Sequence, residues 1–201
     1  AFLRETDIGG CNVTIPYKKA VVPYCAELSE AAERLQSVNT LVRRPDGTLY
    51  GDNTDLFGFL YMVRRSGIDP AGKKALVLGS GGAASAVSRA LVRAGAAVTV
   101  CCRHPEKTAG WDVDTRLWRE LPVLAGECDL LVNATPLGMT GKEEFADFRF
   151  LDGCRGWVYD LVYQPRETAL LAAARQRGLP VIGGLALLHA QAELAFELFI
   201  K

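Results

Sequence analysis

Two patterns of apolar and polar residues divide this chain at a loop near the end of its first third. Before the loop, short extended runs mix with helical spacing. Pro16 can open a helix, because its missing N–H costs nothing at the first helical position, and helical spacing continues to Leu35 with an interruption at Pro23. Val38–Arg43 and Leu49–Gly51 flank a Pro-Asp-Gly turn, so this stretch predicts a hairpin.

A further helix and the loop itself come next. Asn53-Thr54-Asp55 has the residue types of a helix start. Ser66-Gly67 and Asp69-Pro70-Ala71-Gly72 then concentrate residues that favour turns. We therefore place a domain boundary in this loop, after residue 66.

Beyond the loop, continuous apolar runs alternate with helical segments. Such runs are typical of strands buried on both faces of a parallel sheet. The predicted strands are Ala75–Leu78, Ala97–Cys102, Asp129–Ala134, Trp157–Val162 and Val181–Ile182. The predicted helices are Val87–Arg93, Glu167–Gln176 and Leu185–Phe199. This alternation predicts βαβ units and an α/β fold, while Pro105–Leu121 and Gly141–Gly153 stay undetermined.

Composition and charge exclude several classes of protein. The 201 residues are 49% apolar and 23% charged, which is typical of a globular protein. The 23 basic and 23 acidic residues cancel, so no basic field indicates nucleic acid or an anionic membrane. No uncharged stretch approaches the roughly 20 residues that span a bilayer, and Ala1–Glu5 lacks the apolar core of a secretory signal.

The six cysteines form no C-x-x-C pair, and only two histidines accompany them. Structural zinc needs clustered cysteine and histidine ligands, so we expect no metal site. Several cysteines lie in apolar runs, which favours buried, reduced thiols in a cytoplasmic protein over disulfides.

A glycine-rich loop gives the strongest local indication of function. Gly79-Ser80-Gly81-Gly82-Ala83-Ala84 matches G-x-G-x-x-A directly after a buried strand and at a helix start. Gly79 permits the tight turn, Gly81 lets the backbone approach a pyrophosphate, and the small Ala84 allows close packing of helix on strand. The pattern predicts dinucleotide binding; the alternative is a glycine turn with a purely structural use.

The end of the second strand of this unit indicates which dinucleotide binds. A site specific for NAD usually has an acidic residue there, bonded to the ribose 2′-hydroxyl. This chain has Arg103, with Lys107 close behind, and a basic pair suits a 2′-phosphate. The alternative is a solvated turn whose charges bind nothing, and Glu106, deeper in the loop, keeps NAD open.

Four polar residues are candidates for chemistry, each with an ordinary alternative. In a helix opened by Pro16, Lys18 would face the positive end of the helix dipole, which would lower its pKa and suit a proton shuttle; otherwise it is an exposed lysine. Asp55 could simply cap a helix, and Asn39 could be a polar residue at a strand edge. Gln191 lies on the leucine stripe of the last predicted helix, so it needs a polar partner.

A series of motifs covers nearly the whole chain. The runs are Asn12-Val13-Thr14-Ile15-Pro16-Tyr17-Lys18, Val38-Asn39-Thr40, Gly51-Asp52-Asn53-Thr54-Asp55, Gly79–Ala84, Asn133-Ala134-Thr135-Pro136-Leu137-Gly138-Met139, Asp160-Leu161-Val162-Tyr163 and Gly184…Gln191-Ala192. In this order they resemble the shikimate dehydrogenases of the shikimate/quinate dehydrogenase family. The combination is far more specific than any one motif.

The resemblance implies a reversible, NADP-linked reduction of 3-dehydroshikimate to shikimate in aromatic amino acid biosynthesis. It implies that Lys18 is the catalytic acid/base and that Asp55 is its ion-paired partner. The residues implied to contact the substrate are Thr14, Asn39, Tyr163 and Gln191. Those implied to line the cofactor are Gly79, Ser80, Gly81, Gly82, Ala83, Arg103, Lys107, Leu161 and Gly184, with Asn133, Ala134 and Thr135 beside the ribose and nicotinamide.

The resemblance also implies the architecture. We expect a substrate domain at residues 1–66, a doubly wound Rossmann-type NADP domain at 67–183, and a C-terminal helix at 184–201 that packs back on the first domain, with a cleft between the two domains. That return would bring Gln191 to Lys18 and Asp55. The expected partner is a small-molecule substrate, with neither nucleic acid nor membrane, and a homodimer is left open.

The sequence departs from the family pattern at three places. The Ser-x-Ser that binds the substrate carboxylate in family members has no counterpart before Asn12, so we expect the substrate domain to be incomplete at its amino terminus. His104 replaces the threonine of the usual Asn-Arg-Thr, and Leu187 replaces the methionine of the usual Gly-x-Gly-Met-Leu. Quinate or aminoshikimate specificity and a non-catalytic nucleotide-binding remnant therefore stay open as alternatives.

Overall fold

The computed structural model describes residues 8–14 and 16–200, with the backbone alone for Leu56. Residues 1–7, which we expect to carry no secretory signal, and Ile15 lie outside the described residues. The chain divides into two compact units, the first formed by Ala1–Gly58 and His189–Lys201 and the second by Phe59–Leu188. Both division points fall inside helices, not in the loops at residues 66 and 183, so the domain bounds expected from the sequence stay a prediction.

The first unit contains a four-stranded mixed sheet. Its strands are β1 (Gly10–Asn12), β2 (Glu27–Leu28), β3 (Thr40–Arg43) and β4 (Leu49–Asp52), in the order β1-β3-β4-β2. The expected hairpin is confirmed, because β3 and β4 pair antiparallel with Thr40 opposite Asp52. A small apolar cluster of Ala32, Val38 and Leu41 packs near these strands.

The predicted helix from Pro16 to Leu35 is wrong. Residues 16–21 form turns, Val22–Tyr24 is a 3-10 helix, β2 follows, and only α1 (Glu30–Leu35) is an α-helix. Pro23 has no N–H to donate, and it lies near the start of the short 3-10 helix, where that group would have no helical partner. Ser29 then starts α1 by accepting a hydrogen bond from Ala32 N at 3.1 Å.

The second unit contains a six-stranded, all-parallel sheet. Its strands are β5 (Lys74–Leu78), β6 (Ala97–Cys102), β7 (Asp114–Leu117), β8 (Leu130–Asn133), β9 (Trp157–Asp160) and β10 (Val181–Ile182), in the order β10-β9-β8-β5-β6-β7. This order confirms a doubly wound α/β fold, whose ligands bind where the strand order reverses, here between β5 and β8.

The remaining α-helices are α2 (Thr54–Arg65), α3 (Gly82–Arg93), α4 (Leu121–Glu127), α5 (Ala169–Gln176) and α6 (Gly184–Phe199). The core of the second unit is built on the apolar strands, with Leu76, Leu131 and Val158 at most 1% exposed. In the described part of the chain, no helix is both long and apolar enough to span a membrane.

Candidate active site

An ion pair joins two residues that are far apart in the chain. Lys18 lies in the turns of residues 16–21, and its carbonyl oxygen accepts a hydrogen bond from Val38 N at 2.8 Å, which fixes the turn beside the start of β3. Asp55 lies in the first turn of α2. Lys18 Nζ is 2.6 Å from Asp55 Oδ2, and the two side chains are 27% and 31% exposed. The pair is therefore well formed and within reach of a ligand.

The charge environment of Lys18 differs from the one expected from the sequence. Lys18 is not in a helix, so no helix dipole acts along its own segment. The positive helix end nearby belongs to α2, where it favours the Asp55 carboxylate. The ammonium of Lys18 thus faces an anion that is itself held by a helix terminus.

A buried amide caps the same helix. Asn39 is 3% exposed, and its Oδ1 accepts hydrogen bonds from Thr54 N at 2.9 Å and Thr40 Oγ1 at 2.9 Å. Its Nδ2 donates to Thr54 Oγ1 at 3.0 Å. Because α2 begins at Thr54, Asn39 satisfies one of the free N–H groups of the first turn. Asn39 is therefore a capping group supplied from outside the helix, not an edge residue of a strand.

Gln191 meets this cluster from α6. Its Oε1 lies 3.4 Å from Asn39 Nδ2 and 3.4 Å from Thr54 Oγ1. A Cβ on Gly58 would lie 3.0 Å from Gln191 N, so a glycine allows the close approach of α6 to α2 here. Gln191 thus contacts Thr54, the residue directly before Asp55.

The two other predicted substrate residues are exposed. Thr14 lies in the extended segment after β1, and its carbonyl oxygen accepts a hydrogen bond from Tyr17 N at 2.9 Å. Tyr163 is 48% exposed and follows β9 in the second unit. Thr54, which contacts both Asn39 and Gln191, is not among the candidates taken from the sequence; its position at a predicted helix start is the indication that could have identified it.

The glycine-rich loop has the geometry of a phosphate cradle. Gly79 has a φ of +111°, and a Cβ there would lie 3.0 Å from Thr135 Cγ2, so only glycine fits comfortably. Gly81 precedes α3, and nothing lies within 4 Å of a Cβ built on Gly81 or Gly82. That open space leaves the first N–H groups of α3 accessible to an anion, while Ala84 is fully buried against the sheet.

A cavity of about 1240 Å³ adjoins this loop in the second unit. The predicted cofactor residues that line it are Gly79, Ser80, Gly81, Arg103, Lys107, Ala134 and Thr135. His104 also lines it, and its Nδ1 lies 3.3 Å from Glu106 Oε1. Arg103 and Lys107 are among the residues that line the cavity, and Glu106 is not.

Asn133, which the resemblance placed beside the ribose and nicotinamide, makes its side-chain hydrogen bonds within the protein. Its side chain is fully buried at the end of β8, and its Nδ2 donates to Asp160 Oδ1 at 2.9 Å and Leu137 O at 3.2 Å. Its Oδ1 accepts from the N–H and the hydroxyl of Thr135. All of its hydrogen-bonding capacity is used inside the protein, so its side chain shapes the loop that lines the cavity.

Leu161 and Gly184 lie against each other instead of lining the cavity. Leu161 N donates to Asn133 O at 3.0 Å. A Cβ on Gly184 would lie 2.4 Å from Leu161 O, so glycine is required where α6 begins. Gly82 and Ala83 are exposed at the start of α3.

Two remaining features concern metals and thiols. Among the described residues, no group of three histidine, cysteine or acidic side chains could hold a metal ion. The six cysteines, all within the described residues, are free. Burial raises the pKa of the Cys101 thiol to about 12, which keeps it protonated and unreactive.

Comparisons with known proteins agree with this arrangement. Residues 1–41 match the family model described as the shikimate dehydrogenase substrate binding domain. The chain is 44% identical over 202 residues to the shikimate dehydrogenase (NADP(+)) of Acidiphilium cryptum, covering 98% of this chain and 72% of that protein.

Solved structures give the same result. Shikimate 5-dehydrogenase from Thermus thermophilus, in complex with NADP(H) and shikimate, superposes with a TM-score of 0.86 at 36% identity and covers 98% of this chain and 75% of that one. Quinate dehydrogenase from Corynebacterium glutamicum, in complex with NAD, has a TM-score of 0.86 at 33% identity and covers 95% of this chain and 72% of that one.

Proposed function

This chain belongs to the shikimate dehydrogenase family, and from that membership we propose that it catalyses the reversible, NADP-linked reduction of 3-dehydroshikimate to shikimate. The observation that carries the proposal is the 2.6 Å pair of Lys18 and Asp55 beside the cluster of Asn39, Thr54 and Gln191. A proton donor next to neutral hydrogen-bonding groups suits a substrate that presents a ketone and several hydroxyls.

The reaction needs one hydride and one proton. NADPH, when bound, supplies the hydride to the carbonyl carbon. Lys18 Nζ donates the proton to the carbonyl oxygen as it becomes the alcohol. In the oxidation of shikimate, the same nitrogen takes the proton back. Asp55 holds the ammonium in one orientation, and the partial exposure of both side chains lets water restore the proton.

The substrate's hydroxyls and carboxylate require fixed polar partners. We assign that role to Thr14, Asn39, Tyr163 and Gln191. Asn39 is buried and its amide is also held by Thr40, Thr54 and Gln191, so a substrate hydroxyl would take the place of its longest contact, 3.4 Å to Gln191 Oε1. A preorganised amide binds a hydroxyl without the entropy cost of ordering a free side chain.

The second unit provides groups that fit NADP. The open backbone at Gly81 suits the pyrophosphate, and Arg103 and Lys107 suit the 2′-phosphate. His104 adds a further nitrogen to the same cavity. Ala134 and Thr135 form part of the cavity wall beyond the glycine loop. A cytoplasmic location and a homodimer stay predictions, which cell fractionation and the solution mass would check.

The test is a comparison of shikimate and quinate, each with NADP and NAD, followed by the absorbance of the reduced nicotinamide. We expect turnover with shikimate and NADP to exceed the other three combinations. A preference for quinate would assign the chain to the other activity of the family, as in the relative that binds NAD. Binding of NADP without any turnover would support a non-catalytic nucleotide-binding protein.

A further inference from the structure

A buried carboxylate lies at the end of β9, and the proposed reaction does not use it. Asp160 is fully buried. Its Oδ1 accepts hydrogen bonds from Asn133 Nδ2 at 2.9 Å and Val162 N at 3.0 Å, and its Oδ2 accepts one from Thr168 Oγ1 at 2.6 Å. Every partner is a donor, so the site requires a group that only accepts.

One side of this arrangement leads to the cofactor cavity. Asn133 Nδ2 also donates to Leu137 O at 3.2 Å, and Asn133 Oδ1 accepts from Thr135 N at 3.1 Å. Thr135 Oγ1 in turn accepts from Leu137 N at 3.1 Å. The segment Ala134–Leu137, which lines the cavity, is therefore folded around the amide of Asn133.

The same segment touches the glycine-rich loop. The Thr135 Cγ2 atom would lie 3.0 Å from a Cβ on Gly79, and Ala134 O would lie 3.3 Å from it. A turn of the Asn133 amide would therefore disturb the contact between the two loops that meet at the end of β5 and β8.

The other side of the arrangement leads to a helix. Thr168 precedes α5, and its Oγ1 accepts a hydrogen bond from Leu171 N at 3.3 Å while it donates to Asp160. The hydroxyl hydrogen is thus directed at the carboxylate, because its oxygen is occupied by the helix. Asn133, Thr135, Asp160 and Thr168 form one connected group, which we call the Asp160 network.

General stabilisation does not account for this network. A buried carboxylate is costly to desolvate, and an apolar side chain of similar volume often stabilises a core as well or better. Burial raises the pKa of the Asp160 carboxyl above its usual range, although the hydrogen bonds from Thr168, Val162 and Asn133 oppose this rise. What an apolar residue could not do is accept the second hydrogen of Asn133 Nδ2, whose other contact is the longer one to Leu137 O; Asp160 therefore helps to hold the amide with Oδ1 facing Thr135 N.

We propose that Asp160 is a positioning residue for the cofactor, which acts by fixing the Asn133 amide and, through it, the segment Ala134–Leu137 against Gly79. The proposal rests on the proposed function, because it assumes that this cavity takes NADP. It assigns Asp160 no contact with the cofactor. Asp160 instead sets the fraction of molecules in which the segment Ala134–Leu137 is arranged to bind the cofactor.

The test replaces Asp160 by asparagine, which has almost the same shape but turns an N–H₂ group towards one of the donors. If the loop then adopts its binding arrangement about a tenth of the time, the Kd for NADP rises about tenfold. The Kd for NAD should rise by the same factor, because both cofactors share this part of the cavity. Both Kd values are measured by isothermal titration calorimetry.

A second readout separates positioning from a general loss of structure. The Thr135 amide donates to Asn133 Oδ1 and the Leu137 amide to Thr135 Oγ1. Hydrogen exchange of both amides should therefore accelerate in Asp160→Asn, while exchange in β5 stays slow. Asp129→Asn is the matched control. Its carboxylate accepts from Lys74 N at 2.9 Å at the opposite end of the sheet, and its substitution should leave both Kd values unchanged.

Thr168→Val keeps the test decisive if Asp160→Asn does not fold. It removes one donor to the carboxylate at nearly constant volume, and it should weaken both cofactors in equal proportion, by less than Asp160→Asn would. A folded Asp160→Asn or Thr168→Val protein with unchanged Kd values overturns the positioning role. Failure of the unsubstituted protein to bind either nucleotide overturns the proposed function instead.

Discussion

Replacing Lys18 by alanine removes the proposed proton donor and leaves the rest of the site in place. General acid–base catalysis by a positioned side chain contributes roughly 10²–10⁴-fold to a rate. We therefore expect the turnover number for 3-dehydroshikimate to fall by about a hundredfold or more, which corresponds to about 2.7 kcal/mol in the activation free energy. The KM should change much less, because the proton moves only in the chemical step.

The same substitution should barely affect folding. The Lys18–Asp55 pair is 2.6 Å long, but its two side chains are 27% and 31% exposed. Ion pairs this accessible to water contribute at most about 1 kcal/mol to the free energy of unfolding. For a chain of this length, that corresponds to a shift of about 2–4 °C or less in Tm. A large loss of turnover with a small change in Tm would assign the effect to chemistry.

The partner residue provides an independent check. Asp55→Asn keeps the shape of the side chain and removes the charge that holds the ammonium, so it should also lower turnover. Because Lys18 and Asp55 act as one unit, the double variant should be little worse than the poorer single variant. Losses that multiply would indicate two separate contributions.

Lys19 supplies the matched control. It is the next residue in the same turn, and it is exposed. Lys19→Ala removes the same charge from the same segment and should leave turnover unchanged. Steady-state kinetics of all four variants, with the Tm of each, completes the experiment. Near-normal turnover in Lys18→Ala would refute the assignment, and equal losses in the two lysine variants would point to the charge of the segment instead.

Three further results are expected. Arg103→Ala should weaken NADP binding by about ten- to a hundredfold, since a charge-assisted hydrogen bond is worth roughly 1.5–3 kcal/mol. The same substitution should leave NAD binding unchanged. Equal losses of affinity for the two cofactors in a binding titration would show that Arg103 supports the loop instead. Gly184→Ala would place a Cβ 2.4 Å from Leu161 O and should lower the free energy of unfolding in urea by about 1–3 kcal/mol. Gly82→Ala, which has open space around its Cβ, should lower it less. Equal losses in the two variants would contradict this steric explanation. Burial raises the pKa of the Asp160 carboxyl in the folded state above its unfolded value. The contribution of Asp160 to the free energy of unfolding therefore falls as the pH rises from the unfolded to the folded pKa, by at most about 1.4 kcal/mol per pH unit. Asp160→Asn should remove this pH dependence from the free energy of unfolding measured over a pH series. An unchanged pH dependence would show that Asp160 is not its source.

The parallel sheet could be predicted because its central strands are buried on both faces. Runs such as Ala75–Leu78 leave no polar face, and every described residue of that run is at most 2% exposed. The strand β7 (Asp114–Leu117) could not be predicted in this way, because its residues are not buried on both faces. It lies at the sheet edge and pairs only with β6, so exposed charged residues alternate along it and no apolar run marks it.

The segment after Pro16 could not be predicted because distant pairing decides its structure. The strand β2 has two residues and exists only through its parallel pairing with β4, where Glu27 lies opposite Tyr50. Apolar residues recur at helical spacing in this stretch because they pack against the cluster of Ala32, Val38 and Leu41, although the backbone there is not an α-helix. Periodicity records burial, and several backbone conformations can produce the same burial over so few residues.

The candidate site was predicted unevenly for a related reason. The glycine loop is local, so strand, turn and helix start could be read together. Gln191 could be identified as a polar residue that needed a partner, but its contact with Asn39 spans 152 residues and no periodicity indicates it. The burial of the Asn133 side chain could not be predicted either, because a polar residue at the carboxyl end of a parallel strand is usually exposed to the ligand site.

The position of Asn39 explains why substrate binding and acid–base chemistry should be difficult to separate in this protein. Its Oδ1 caps α2 at Thr54, and the next residue, Asp55, holds the Lys18 ammonium. The amide that is proposed to bind a substrate hydroxyl therefore also sets where the helix starts and where its first carboxylate lies. A substitution of Asn39 that was designed to alter substrate choice would therefore be expected to move Asp55, and with it the proposed catalytic pair, as well. Changes in specificity are more accessible through Thr14 and Tyr163, which are exposed and do not cap the helix that carries Asp55.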